Sequence, residues 1–368
     1  MFVFICIYGG INVYPASHIY KSLKLICHNF HPIAFVVVYS LVSLLVPLSF
    51  LKRKYPFQDI IYTAGSYWMG IFVYMFLFTI AADIVFLVMN LFRLHMIHYA
   101  CISGIVVIVL TFIVVICGAI NAASIKITRY EAQAEELSEP LRVALITDIH
   151  IGAVGMEKRM SEIVDRVNAE NPDIICISGD IFNNDFTALK DPAFVLEQFK
   201  RMEAPCGVYA CLGNHDCGDG FDSMLELLRS SGVKLLIEES SLIPGKCFIV
   251  GRADSSPVAV SEGIKRGSYG LIAPDNPDGL PVIVLDHNPA NIGEYGKDVS
   301  FILCGHTHKG QIFPGNLITK ALYEHDYGQY RRDNDSPTVF VSSGVGYWGP
   351  PLRVGSKSEI VIIDLAPQ

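Results

Sequence analysis

The chain has 368 residues, 51% of them hydrophobic, and a formal net charge of −8 from 28 basic and 36 acidic side chains. The length allows two or more domains, and the hydrophobic share is too high for an ordinary soluble enzyme. Residues 141–368 carry 20 basic against 30 acidic side chains; without a positive stripe to neutralise phosphates, a nucleic-acid partner is not expected.

The apolar excess lies at the front. Residues 33–50 form an uncharged run of 18, residues 60–82 one of 23 before Asp83, and residues 99–125 one of 27. Crossing the hydrocarbon core takes about 20 apolar residues, so residues 1–130 read as a membrane domain with at least three transmembrane helices. Residues 2–14 (FVFICIYGGINVY) are apolar but short and broken by glycine, which leaves a fourth helix open; they lack the basic start of a signal peptide. Lys52, Arg53 and Lys54 make the strongest basic loop, and such loops stay cytoplasmic. With four helices the remainder of the chain shares that cytoplasmic side; with three it lies opposite, and Lys21 and Lys24 compete. Asp83 interrupts an apolar span, and we read it as facing the helix bundle or the interface rather than as a functional group. Residues 131–140 (EAQAEELSEP) are acidic and end in proline, as a linker or short helix would.

From residue 141 onward the apolar runs are short and rich in Val and Ile. Residues 141–147 (LRVALIT) lead into Asp148-Ile149-His150, and 173–178 (DIICIS) into Gly179-Asp180. Residues 208–212 (VYACL) lead into Gly213-Asn214-His215-Asp216, 282–285 (VIVL) into Asp286-His287, and 299–304 (VSFILC) into Gly305-His306-Thr307-His308. These runs read as strands buried on both faces. Met160, Ile163, Val164 and Val167, and again Phe221, Met224, Leu225 and Leu228, recur at helical spacing, which gives an α/β layered domain.

Ligands of open α/β sheets bind beyond the carboxyl ends of the strands, so five ends carrying Asp, Asn and His converge on one crevice. On extended backbone the two side chains of Asp-x-His point the same way, and His306 and His308 repeat the spacing. A lone buried histidine is usually a satisfied core residue; the set is what signals a site. Carboxylate, imidazole and amide oxygen suit Mn, Fe or Zn. Seven donors exceed the needs of one tetrahedral ion, so two divalent ions sharing a carboxylate are the economical solution. Asp286 reads as a hydrogen-bonding support beside His287, and His325 as a surface residue. None of the ten cysteines forms C-x-x-C, and several fall in strands or apolar runs, which fits a reducing compartment.

The series DIH, GD, GNHD, H and GHTH, in this order across residues 141–368, resembles the calcineurin-like metallophosphoesterases. The resemblance implies two facing mixed β-sheets flanked by helices, preceded here by an all-α transmembrane bundle. It implies that Asp148, His150, Asp180 and His308 hold one ion and that Asp180, Asn214, His287 and His306 hold the other. His215 would stand near the leaving group, its ring held by Asp216, while a hydroxide bridging the ions attacks phosphorus. The membrane-anchored branch is the nearest in kind, which suggests a phosphomonoester, phosphodiester or pyrophosphate of a lipid or glycolipid. Phe313, Tyr323, Tyr327, Tyr330, Arg331 and Arg332, together with Tyr347, Trp348 and Arg353, could form a rim that receives such a substrate. The competing reading is a receptor or transporter bundle with a regulatory phosphoester-binding domain.

Overall fold

The computed structural model describes residues 2–51, 56–94 and 99–367; Lys52, Arg53 and Lys54, on which the orientation argument rests, lie outside the described residues. The chain divides into two units, Met1–Ile120 with Gly349–Leu352, and Asn121–Trp348 with Arg353–Gln368.

The first unit is built from helices α1 (Phe2–Ile26), α2 (Pro32–Ser43), α3 (Leu45–Ser49), α4 (Pro56–Leu91) and most of α5 (Tyr99–Ala123). Among the described residues, Pro32–Ser49, Phe57–Leu91 and Cys101–Ala123 are long and apolar enough to cross a membrane. The stretch 2–14 is helical despite its glycines, as part of the longer α1. Asp83 on α4 accepts a hydrogen bond from Tyr14 Oη at 2.5 Å and lies 3.4 Å from His18 Nε2, both on α1, so it faces the bundle.

The second unit holds two six-stranded mixed sheets. One runs in the order β1 (Ile125–Ala134), β12 (Ser358–Pro367), β2 (Leu141–Ile146), β3 (Ile174–Ser178), β4 (Val208–Cys211), β5 (Lys234–Leu235). The other runs β10 (Gly328–Tyr330), β11 (Thr338–Val341), β9 (Phe301–Cys304), β8 (Val282–Leu285), β7 (Cys247–Gly251), β6 (Glu239–Ile243). Strands β2 to β5 are mutually parallel, as are β7, β8, β9 and β11, so the site-bearing strands of each sheet end on one side.

Alternation along each strand sorts the side chains into layers. Leu141, Val143 and Leu145 pack between the sheets with Ile249, Ile283, Leu285, Phe301 and Leu303. Ala144 and Ile146 point the other way, onto α6 (Met156–Asn168), α7 (Pro192–Lys200) and α8 (Phe221–Ser230). Met160, Ile163, Val164 and Val167 line the buried stripe of α6, and Met224 and Leu228 that of α8. The outer face of the second sheet is covered by the 3-10 turns Tyr269–Leu271 and Pro289–Glu294, with Tyr269, Ile292 and Tyr295 in its core; the short helix α9 (Pro257–Ser261) follows β7.

Strand β1 pairs in parallel with β12 from Ile125↔Ser358 to Ala134↔Pro367, so it takes in residues 125–130, read from the sequence as membrane domain, and 131–134, read as linker. Along I-K-I-T-R-Y-E-A-Q-A Ile125 and Ala134 are buried and Lys126, Arg129, Glu131 and Gln133 are exposed, as on an edge strand whose charges face outward.

Candidate metal centre

The ligand candidates leave their strands within four residues of the last strand position: Asp148 and His150 after β2, Asp180 after β3, Asn214 after β4, His287 after β8, His306 and His308 after β9. The backbone that presents five of them is not extended. Asp148, His150, Asp180, His306 and His308 have φ of 52°, 52°, 50°, 70° and 48°. Left-handed backbone at non-glycine residues costs about 1–3 kcal/mol each and persists where the surroundings over-determine it, commonly at functional sites. The pairs do reach one place, but through left-handed turns rather than strand alternation. Hydrogen bonds hold those turns: Asp148 N donates to Gly179 O at 3.1 Å and His150 N to Asp180 O at 3.0 Å.

Two groups result, each with ligand atoms within 4.8 Å of one another: Asp148, His150 and His308, and Asp180, His287 and His306. In the first, His150 Nε2 lies 3.1 Å from His308 Nε2, which is 3.2 Å from Asp148 Oδ1. In the second, His287 Nε2 lies 3.1 Å from Asp180 Oδ2, and His306 Nδ1 lies 2.9 Å from Asn214 Oδ1 and 3.3 Å from His287 Nε2. Asp180 Oδ2 also approaches His150 Nε2 at 3.8 Å, so this carboxylate touches both groups. Its Oδ1 accepts from His215 N at 2.8 Å. Gly213 permits the approach of the β4 loop, since a Cβ there would lie 2.3 Å from Asp180 Oδ1.

The protonation pattern favours cations. Burial pushes His150 down to about 3 and His306 to about 4, and holds His308 well below its ordinary value, so these imidazoles are neutral with lone pairs free. Burial pushes Asp148 up to about 6. Asp180 is opposed by burial too, yet the His287 charge and hydrogen bond keep it well below the carboxylate range; reciprocally, burial disfavours charge on His287 but Asp180 raises it well above the usual imidazole value. His287 Nδ1–H donates to Ser178 O at 2.8 Å, which leaves Nε2 turned toward the centre. Two carboxylates, four imidazoles and an amide oxygen this close, with ring nitrogens 3.1 Å and 3.3 Å apart, fit divalent ions.

The neighbours of His215 differ from expectation. Asp216 does not hold its ring: Oδ1 accepts from Phe182 N at 2.7 Å and Oδ2 from Gly213 N at 2.8 Å. The carboxylate braces the two loops that carry Asp180 and Asn214. His215 Nδ1 is buried with no hydrogen-bond partner among the described residues, and the ring packs edge-on to His150, centroids 5.0 Å apart. Asp286 is a structural hydrogen-bond partner rather than a ligand, in keeping with its sequence reading, and pairs with Arg266 Nη2 and Tyr295 Oη, both at 2.6 Å.

Of the supposed rim, Trp348 alone of the three chief residues stays beside the crevice, its ring 6.2 Å from His215. Gln311 fixes it from both sides, donating to Trp348 O at 2.7 Å and accepting from Trp348 N at 2.9 Å. Tyr347 is buried and donates to Val154 O. Arg353 is 1% exposed; its guanidinium donates to His308 O, Gly344 O and Gly346 O, and Nη2 lies 3.3 Å from His308 Nδ1. It packs behind the first group and is no rim residue. Of the others, Tyr323 comes to 6.2 Å from His306, Tyr327 bonds Glu359, Tyr330 and Arg332 bond Glu324, Arg331 bonds loop carbonyls, and Phe313 is exposed. His325 stacks on Tyr330 at 4.9 Å and is half-buried rather than fully on the surface.

One acid escapes sequence reasoning. Asp254 follows β7 as the other candidates follow their strands, is 3% exposed, and has Oδ2 buried without a partner among the described residues. Its charge is among the influences raising His215, His287 and His306. The available signal was the same as elsewhere, an apolar strand ending in an acid.

The crevice over both groups has a volume of about 410 Å³; His215, Thr307, Gln311, Ile318, Thr319 and Trp348 contribute to its walls. The model of the calcineurin-like phosphoesterase family matches residues 141–310. A metallophosphoesterase of Campylobacter jejuni is 28% identical over 99% of this chain and 97% of its own length. One of Aquifex aeolicus is 30% identical over 69% of this chain and 98% of its own length. A transmembrane protein with metallophosphoesterase domain of Danio rerio is 29% identical over 70% of this chain and 61% of its own length. With the motif order, the paired sheets and the clustered donors, these likenesses make the chain a member of the calcineurin-like phosphoesterase family, metal-dependent hydrolases of phosphoric esters, carrying apolar helices fit to span a membrane.

Proposed function

We propose that residues 141–368, extended at the front by β1, act as a dinuclear phosphoesterase. Asp148, His150, Asp180 and His308 would hold one divalent ion, and Asp180, Asn214, His287 and His306 the other. The observation that carries this reading is the reach of Asp180 Oδ2 to His287 Nε2 at 3.1 Å and to His150 Nε2 at 3.8 Å, one ring from each group. Mn, Fe or Zn suits the donors. When bound, such a pair supplies Lewis acidity to phosphoryl oxygens and an acidified water at neutral pH.

The chain's own residues do the rest. His215 lines the crevice, where its role is to donate a proton to the departing oxygen or to stabilise charge on the phosphoryl group. Asp216 keeps the Asp180 and Asn214 loops in register, and Arg353 orients His308 from behind. Ile318 and Trp348 give the crevice an apolar wall, which favours a substrate with an apolar moiety. A chain with three membrane-compatible helices has ready access to lipids, so we assign a lipid or glycolipid phosphoester, whether monoester, diester or pyrophosphate. With α1 as a fourth crossing, the basic 52–54 sequence and the catalytic unit share the cytoplasmic side.

The test uses the full chain in detergent or nanodiscs. Elemental analysis should find two transition-metal ions per chain, chelation should abolish hydrolysis of an aryl phosphodiester or phosphomonoester, and a lipid extract followed by mass spectrometry should show the consumed species. Absence of metal-dependent hydrolysis of every phosphoester tried would sink the reading.

A further inference from the structure

The mouth of the crevice carries a row of large apolar side chains left in solvent. Helix α10 (Gly315–Leu322, GNLITKAL) has no buried residue. Leu317, Ile318 and Leu322 on it are 57%, 58% and 74% exposed, and Phe313 before it and Trp348 beside the crevice are 46% and 48% exposed. A patch of this kind at a site mouth marks an interaction surface. The helix is nonetheless firmly built. Gly315 N donates to Ile312 O at 2.7 Å, Thr319 Oγ1 donates to Asp326 Oδ2 at 2.7 Å, and Gln311 clamps Trp348 at both ends of its peptide.

We propose that α10 with Phe313 and Trp348 docks onto the surface of a lipid bilayer, so that a lipid phosphoester passes from the bilayer into the metal crevice along an apolar wall. Three observations select the bilayer as occupant. The row is continuous with the crevice, because Ile318 and Trp348 belong to both. Helix α10 bears an exposed Lys320 and no acid, the composition of an element that meets anionic headgroups. Finally, the chain's own membrane-compatible helices tether it to a bilayer, which supplies this partner at an effective concentration on the order of millimolar.

The proposal rests on the phosphoesterase reading for its activity readout, so the test has a second arm that does not. Leu317→Asp/Leu322→Asp alters the row without touching a residue that lines the crevice. The full chain in nanodiscs is assayed with hexadecyl p-nitrophenyl phosphate in the bilayer and with ethyl p-nitrophenyl phosphate in solution, which share one reacting group. The double variant should lose about tenfold or more on the hexadecyl ester, as losing the burial of two leucines requires, and stay within about twofold on the ethyl ester. Independently, Trp68→Phe leaves Trp348 as the single tryptophan, whose fluorescence brominated phospholipids should quench, and the double variant should relieve that quenching. Equal loss on both esters, or Trp348 unquenched or equally quenched in both chains, would overturn docking; a dimer that the double variant dissociates without any quenching would overturn it in favour of a second copy. If the unmodified chain hydrolyses neither ester, the phosphoesterase reading falls while the quenching still decides docking.

Discussion

The two donor groups are built differently. Asp148, His150 and His308 are all buried, and two of them are backed by hydrogen bonds: Asp148 accepts from Thr147 Oγ1 at 2.9 Å and from His306 N at 3.1 Å, and His308 lies against Arg353. In the other group Asp180 and His287 are buried, but His306 and Asn214 are half-buried and border the crevice. A closed, supported donor set holds its ion tightly, whereas a set that opens on solvent exchanges ion and water. The contrast therefore predicts unequal positions joined through Asp180, with the crevice side the more labile.

The strongest test removes the joint. Asp180→Asn should strip metal from both positions and reduce turnover to background, read by elemental analysis and by hydrolysis of an aryl phosphodiester; loss of one ion only would mean that the groups are independent. Next comes the residue assigned no ion. His215→Gln should keep both ions and lower kcat by about 10²–10⁴-fold, the usual worth of a positioned proton donor. Metal loss equal to that of the Asp180 variant would strip His215 of this role. Stepwise chelation of the Mn-loaded protein should then release the crevice-side ion first, with loss of the spin-coupled EPR signal before the mononuclear one appears alone; simultaneous release would erase the asymmetry.

How the sequence carried this site depends on what each residue's neighbours reveal. The ligand candidates were visible because each ends an apolar run, and strand ends on one side of parallel strands must converge. The left-handed turns that aim Asp148 and His308 were not visible, because only tertiary hydrogen bonds force a non-glycine residue into them. Asp254 obeys the same strand-end logic yet stands behind Gly251-Arg252-Ala253, where no second donor draws attention to it. Trp348 and Arg353 lie five residues apart, but one borders the crevice and the other is sealed behind it, since side-chain direction in an irregular loop has no period to read. Similarly, Asp216 follows His215 directly, and adjacency suggested a partnership that the backbone amides of Phe182 and Gly213 pre-empt. Of the twelve strands, β2, β3, β4, β8 and β9 were legible as short apolar runs that end in donor residues, whereas β1, whose outer face is charged, gave no such signal.

A subtler way to sharpen the contrast is to weaken only the backing of the closed group. Arg353→Met removes the donor to Gly344 O, Gly346 O and His308 O, and should lower metal affinity at the first position by about 10–100-fold while sparing the second. Gly344→Ala presses on the same position from another side: with φ of +81°, its new Cβ would meet Asp148 Cβ at 2.6 Å. Both variants should convert a coupled Mn pair to a mononuclear signal from the crevice side, whereas loss of the crevice-side ion would reverse the assignment of the tight position.

The smallest effect belongs to Glu359, which supports the closed group at one remove. It is fully buried, accepts from Ser343 N at 2.9 Å, Ser343 Oγ at 2.8 Å and Tyr327 Oη at 3.2 Å, and pairs with Lys357 Nζ at 3.2 Å, fixing the chain that delivers Gly344 to Asp148. Burial would raise its pKa, but the Ser343 amide, Thr128 and Lys357 outweigh it and hold the carboxyl below its ordinary 4.5. A carboxyl depressed in the folded state stabilises the fold fully above the unfolded value and loses that contribution as pH falls through the folded one. Glu359→Gln should therefore cost about 1–3 kcal/mol at pH 7, the range for disturbing a buried charged hydrogen-bonding group. In denaturant titrations of the full chain, the gap to the unmodified protein should narrow as pH drops below 4.5. A gap that stayed constant into acid would show that the shape of the side chain, and not its charge, holds the Gly344 turn against Asp148.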